Sequence, residues 1–130
     1  MPSETQRPLS PHLQIYRREL TMVMSIVHRL TGAGLYFGSI LLVWWLSAAA
    51  VGGNYFAFVH GLVVSWFGLI VLFGLSWVLV HHFLGGIRHL IWDTGRGFDL
   101  PTAERMAQIN LAGSIAITIA IWIAGYVAKG

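Results

Sequence analysis

Three stretches free of Asp, Glu, Lys and Arg dominate the chain: Leu30 to Ala50, Phe56 to Ile87 and Met106 to Ala128. Each reaches the roughly 20 apolar residues needed to cross hydrocarbon, which predicts three transmembrane helices. Flanking residues extend them to about 22–51, 56–91 and 105–128. The second stretch would be about 48 Å long at 1.5 Å per residue, so a continuous helix there must tilt or run past the membrane boundary. Val51-Gly-Gly-Asn-Tyr55 reads as a tight, uncharged turn, whereas Trp92 to Arg105 carries Asp93, Arg96, Asp99, Pro101, Glu104 and Arg105 and reads as an aqueous connection. Small residues recur at helical spacing, as Gly34 and Gly38 and as Ala112, Ala116, Ala120 and Ala124. Such rows let helix backbones approach closely, against a helix of this chain or of a partner. The pattern predicts an all-α membrane protein: residues 1–20 as an N-terminal cytoplasmic or interfacial arm, with Pro2, Pro8, Pro11 and Tyr16, then a three-helix transmembrane domain over residues 21–130.

Composition adds exclusions. Of 130 residues, 56% are hydrophobic and 10% charged, too few charges to cover an aqueous surface. The net charge of +3 comes from eight basic residues spread too thinly for a phosphate-binding face, so nucleic acid is not an expected partner. Topology explains them instead. Arg7, Arg17, Arg18, Arg29, Arg88, Arg96 and Arg105 fall in the N-terminal part or around the second connection, leaving Lys129 for the opposite face. Positive residues stay inside, so the N-terminus is expected in the cytoplasm and the C-terminus in the periplasm. There is no cysteine, which excludes disulfides, thiolate haem ligation and iron–sulfur coordination by this chain; no G-x-G-x-x-G offers a flavin site either. The charged, proline-containing start has no apolar core, so no cleavable signal or transit peptide is expected.

The six histidines carry the candidate chemistry. His12 and His60 fall where water is close and read as interfacial. His82 lies six residues before Arg88, about 9 Å deeper along a helix, where an unpaired imidazole is costly. Helix phase puts His82, Gly86, His89 and Asp93 within about 60° of one another and turns His81 away by about 100°. A glycine one turn from His82, widened by Gly85, leaves space for a flat macrocycle, so His82 is either a haem ligand or a polar contact between helices. At the same expected membrane level, His28, Arg29 and Arg88 can pair haem propionates, although arginines at helix ends also snorkel. Ser25 and Arg29, four apart, can grip a quinone carbonyl while the quinone tail stays in lipid.

Three elements together, Arg7-Pro-Leu-Ser-Pro-His-Leu, Ser25-Ile-Val-His-Arg-Leu-Thr-Gly32 and His82-x3-Gly-Ile-Arg-His-Leu-x-Trp-Asp93, resemble the cytochrome b subunit of succinate dehydrogenase, respiratory complex II. The resemblance runs from the arm through all three helices. It implies a helical bundle completed by a second small anchor subunit, with His82 as one axial ligand of haem b and the other ligand supplied by that subunit. It also implies that Ser25 and Arg29 line the ubiquinone pocket, that His28 and Arg29 lie near the haem propionates, and that Arg88, His89 and Asp93 support this edge. Succinate oxidation would belong to a flavoprotein subunit carrying FAD and to an iron–sulfur subunit, both docked on this anchor, so the chain would not be catalytic alone. His81 is an extra imidazole beside the matching ligand position. The Trp92-Asp93-Thr-Gly-Arg-Gly97 ending resembles alphaproteobacterial and mitochondrial members, and with no transit peptide the expected location is a bacterial inner membrane. The competing readings are a small transporter, weakened by the lack of midplane charge, and a haem-free membrane anchor.

Overall fold

The computed structural model describes residues 10–130, the side chain of Leu13 excepted. Arg7, Pro8 and Leu9 of the Arg7-Pro-Leu-Ser-Pro-His-Leu element, and Pro2 before it, lie outside the described residues. A single turn, α1 (His12–Ile15), precedes four longer helices: α2 (Leu20–Val51), α3 (Gly53–Val64), α4 (Trp66–Asp93) and α5 (Leu100–Lys129). No strand occurs among the described residues. Three helices, α2, α4 and α5, are long and apolar enough to cross a membrane. At 1.5 Å per residue, the 12-residue α3 is about 18 Å long and too short to do so.

Packing is inverted relative to a water-soluble protein. Thr31, His81, Arg88, Asn110, Ser114 and Thr118 are buried, while Trp66 and Val127 are each 76% exposed. A bilayer selects this arrangement, because lipid solvates apolar side chains and polar ones find partners only inside the bundle. The Gly34 and Gly38 row faces α4. A Cβ on Gly34 would stand 3.3 Å from Val78 Cγ1, and one on Gly38 would stand 2.9 Å from Leu75 Cδ2. The alanine row of Ala112, Ala116, Ala120 and Ala124 is exposed instead. The face of α5 turned inward is Ala103, Ala107, Asn110, Ser114 and Thr118, so the alanines remain free for a helix outside this chain.

Two expectations need correction. The helix expected over 56–91 is broken at Ser65, whose ψ of 160° leaves the helical region. Its hydroxyl accepts the Gly68 N–H at 3.1 Å as the α4 N-cap. The cap folds α3 back so closely that a Cβ on Gly68 would collide with the Leu62 and Val63 carbonyls. Hydropathy is blind to such a break because it comes from one hydroxyl and one missing methyl. Gly68→Ala should therefore cost about 1–3 kcal/mol by overpacking against backbone, read as a lowered melting temperature of the purified complex. The third span, expected from about 105, starts at Leu100. Asp99 Oδ1 caps it by accepting the Thr102 N–H at 3.2 Å, and Pro101 sits in its first turn, where a missing N–H costs nothing.

The turn between α2 and α3 is made by Gly52 and Gly53, at φ of 73° and 58°, a left-handed geometry that favours glycine. Opposed contacts show that α2 and α4 run antiparallel: Gly38 meets Leu75, Gly34 meets Val78, Gly32 meets His82 and Gly85 meets His28. Continued, this register sets Ser25 abreast of Arg88. The starts of α2 and α5 and the end of α4 thus gather at one end of the bundle.

Candidate functional site

Adjacent histidines on α4 point to different helices, as the 100° step of an α-helix requires. His81 is 0% exposed and faces α5. Ser114 donates its hydroxyl proton to the Leu111 carbonyl at 2.9 Å, so its oxygen accepts the His81 Nδ1–H at 3.1 Å. The other ring nitrogen, Nε2, then accepts from Asn110 Nδ2 at 3.3 Å. Both nitrogens of His81 are engaged inside the bundle.

His82 turns toward α2. Its Nδ1 lies 3.1 Å from the His28 carbonyl oxygen and 3.2 Å from Thr31 Oγ1. A carbonyl can only accept, so Nδ1 carries the proton and the lone pair of the neutral ring is on Nε2. No hydrogen bond among the described residues engages that nitrogen. The imidazole fits because Gly32 has no side chain: a Cβ there would stand 3.1 Å from His82 Cε1.

His28 stacks flat on His82, with ring centroids 4.0 Å apart and planes within 3°, and lies 5.0 Å from the ring of His89. Its ring occupies the place a Gly85 side chain would take, while among the described residues nothing lies within 4 Å of a Gly86 Cβ. The expectation that both glycines widen the space beside His82 is corrected accordingly: Gly85 is filled by His28, and only Gly86 opens outward. His28 Nδ1 is buried with no hydrogen-bond partner among the described residues.

Arg88 is 3% exposed, and its Nε and Nη1 are buried with no hydrogen-bond partner among the described residues. Its guanidinium carbon stands 5.0 Å from the Trp92 ring centroid. A buried cation with unfilled donors is costly, and an anion supplied from outside the chain would satisfy it. Ser25 is half-buried and Arg29 exposed, one turn apart. His89 is exposed, edge-on to Trp92 at 5.1 Å. Asp93 is exposed at the end of α4, beside Trp92, whose indole N–H donates to the Gly97 carbonyl at 3.0 Å. His60 is exposed on α3, stacked on Phe56 and remote in sequence from this cluster.

Sequence reasoning gave no role to Thr31, Gly32, Asn110 or Ser114. The signal for the last two was present as polar residues every fourth position, opposite the alanine row.

A polar, imidazole-lined interior inside an apolar exterior, with three helices long enough to span a bilayer, defines a multi-pass helical membrane protein. The chain belongs to the succinate dehydrogenase/fumarate reductase transmembrane subunit family, whose model matches residues 3–121. It is 42% identical over 121 residues to the succinate dehydrogenase cytochrome b556 subunit of Paracoccus denitrificans, covering 93% of each chain. The cytochrome b556 subunit of Rickettsia felis is 35% identical over 118 residues, 91% of this chain and 92% of the relative. The mitochondrial cytochrome b560 subunit of Mus musculus is 33% identical, over 95% of this chain and 70% of the relative.

Proposed function

We infer that the chain is the membrane-anchor and haem b-binding subunit of a succinate:ubiquinone oxidoreductase. One observation carries this: His82 presents an Nε2 lone pair while its Nδ1–H is held by the His28 carbonyl, the arrangement that iron-ligating imidazoles use. The open side at Gly86 has room for a planar ring, and the orphaned Arg88 guanidinium, with His28 and Arg29 at the same level, has donors for its propionates. A b-type haem held there supplies one-electron redox capacity beside the quinone site. The second axial ligand comes from another small anchor subunit, whose helices have the exposed alanine row and open α2 and α4 faces to pack on.

Ser25 and Arg29 serve the quinone. A hydroxyl and a guanidinium one turn apart, abreast of Arg88, grip a carbonyl at the headgroup level while the isoprenoid tail stays in lipid. FAD and iron–sulfur clusters belong to partner subunits docked at the arginine-rich end, since this chain has no thiolate ligand and is not catalytic alone. The arginine distribution supports a cytoplasmic position for that end and a periplasmic C-terminus, and the bacterial relatives support a bacterial inner membrane.

Arg29→Ala or Ser25→Ala should raise the apparent quinone KM or lower quinone turnover, each by roughly tenfold for a lost hydrogen bond to a polar ligand. Succinate oxidation with a water-soluble artificial acceptor should survive in the same preparations. Equal loss with both acceptors would mean that the substitution disrupts assembly and would remove the support for a quinone site here.

A further inference from the structure

Thr31 is 4% exposed, yet its hydroxyl sits at the point where α2 meets the His82 ring. We propose that Thr31 is a positioning residue for His82: its hydroxyl shares the Nδ1–H with the His28 carbonyl, holds the ring's orientation and sets how strongly Nε2 donates to iron. This rests on the reading of His82 as an axial ligand.

The hydrogen bonds assign each proton. Thr31 Oγ1 donates to the His28 carbonyl at 2.9 Å, which spends its only proton and leaves lone pairs. One of them faces His82 Nδ1 at 3.2 Å, across 51 residues of sequence. The same Nδ1 lies 3.1 Å from the His28 carbonyl oxygen, so its proton is divided between two acceptors. A threonine bonding back to a carbonyl one turn earlier is ordinary in membrane helices and would account for the first contact. It does not account for the approach across helices to an imidazole. Gly32 completes the device, because any side chain there would hold the ring 3.1 Å from a Cβ and push it off both acceptors. Thr31 supplies the acceptor and Gly32 the space, which gives the Thr-Gly pair of the Ser25 to Gly32 element a purpose that neither a quinone nor a propionate explains.

An imidazole whose distal N–H is well accepted has more electron density on its other nitrogen and stabilises oxidised iron. Loss of the Thr31 hydroxyl should therefore move the haem potential upward.

The test uses the complex purified with its native partners. Thr31→Val keeps the shape and removes the acceptor; it should raise the haem midpoint potential and shift the low-spin electron paramagnetic resonance signature, and Thr31→Ser should return both to wild type. Full haem retention in Thr31→Val with unchanged potential and resonance would overturn the proposal. If Thr31→Val loses haem, retention in Thr31→Ser supports the hydroxyl's role, whereas loss in both variants makes Thr31 a packing residue and overturns it. His82→Ala is the separate arm. If that variant keeps a wild-type low-spin spectrum, the axial assignment itself has failed, a result distinguishable from any outcome at Thr31.

Discussion

His82→Ala in the co-purified complex should abolish or convert the low-spin b-type band of the reduced-minus-oxidised visible spectrum, while His81→Ala retains it. The two residues are adjacent, and their surroundings separate them. His82 has one nitrogen tied to the His28 carbonyl and the other unengaged, which is what coordination requires. His81 spends both nitrogens on Ser114 and Asn110 and has no exposed surface from which to reach a ligand. Removing His81 leaves the Asn110 amide nitrogen unpaired, while Ser114 keeps its bond to the Leu111 carbonyl, a loss of about 0.6 kcal/mol and at most about 1.7 kcal/mol by analogy with other membrane helix contacts. That lowers stability without touching the spectrum. His60→Ala, exposed on α3, should leave the band unchanged. Loss of the band in His81→Ala together with its survival in His82→Ala would reverse the axial assignment.

The fold was legible where hydropathy and small-residue spacing speak, and illegible where single hydrogen bonds decide. Three charge-free stretches announce α2, α4 and α5, and the Gly34 and Gly38 spacing marks the α2 face that meets α4. The break at Ser65 is invisible to apolar averaging because the residues on both sides are equally apolar; a serine three before a glycine is too common a pairing to signal a cap. The start of α5 has a usable signal in Asp99 before Pro101, a capping side chain followed by a first-turn proline, but the charged residues around it give the same stretch the pattern of a loop. In the candidate site, helix phase was enough to send His81 and His82 to different neighbours. The neighbours themselves required the pairing of helices: that His28 stacks on His82, that its ring fills the notch at Gly85, and that Thr31 and the His28 carbonyl share one proton all depend on how α2 sits against α4. No periodicity within one helix encodes that offset.

The adjacent glycines of α4 give a second large expected effect and a test of what lies outside the chain. Gly85→Ala puts a methyl group into the His28 ring, which is pinned between α2 and the His82 imidazole and has little room to yield. Overpacking of this kind costs about 1–3 kcal/mol, and the cost is paid within this chain, so it should appear with or without haem. The expected result is a lower melting temperature of the complex with reduced haem content in the wild-type background, and a smaller drop in the His82→Ala background, where the His28 ring gains the space left by the imidazole. Gly86→Ala is the contrast. A Cβ there meets nothing within 4 Å among the described residues, so the substitution should leave the haem-deficient His82→Ala complex unchanged. In the haem-loaded complex the added methyl group stands one helical turn from His82, on the side assigned to the macrocycle, and should lower haem occupancy or shift the low-spin spectrum. An effect confined to the loaded complex identifies the macrocycle as the neighbour that Gly86 accommodates. Equal effects in both backgrounds would assign that space to a helix of the partner anchor, and no effect in either would remove Gly86 from the haem site and leave His82 Nε2 and Arg88 as its remaining supports in this chain.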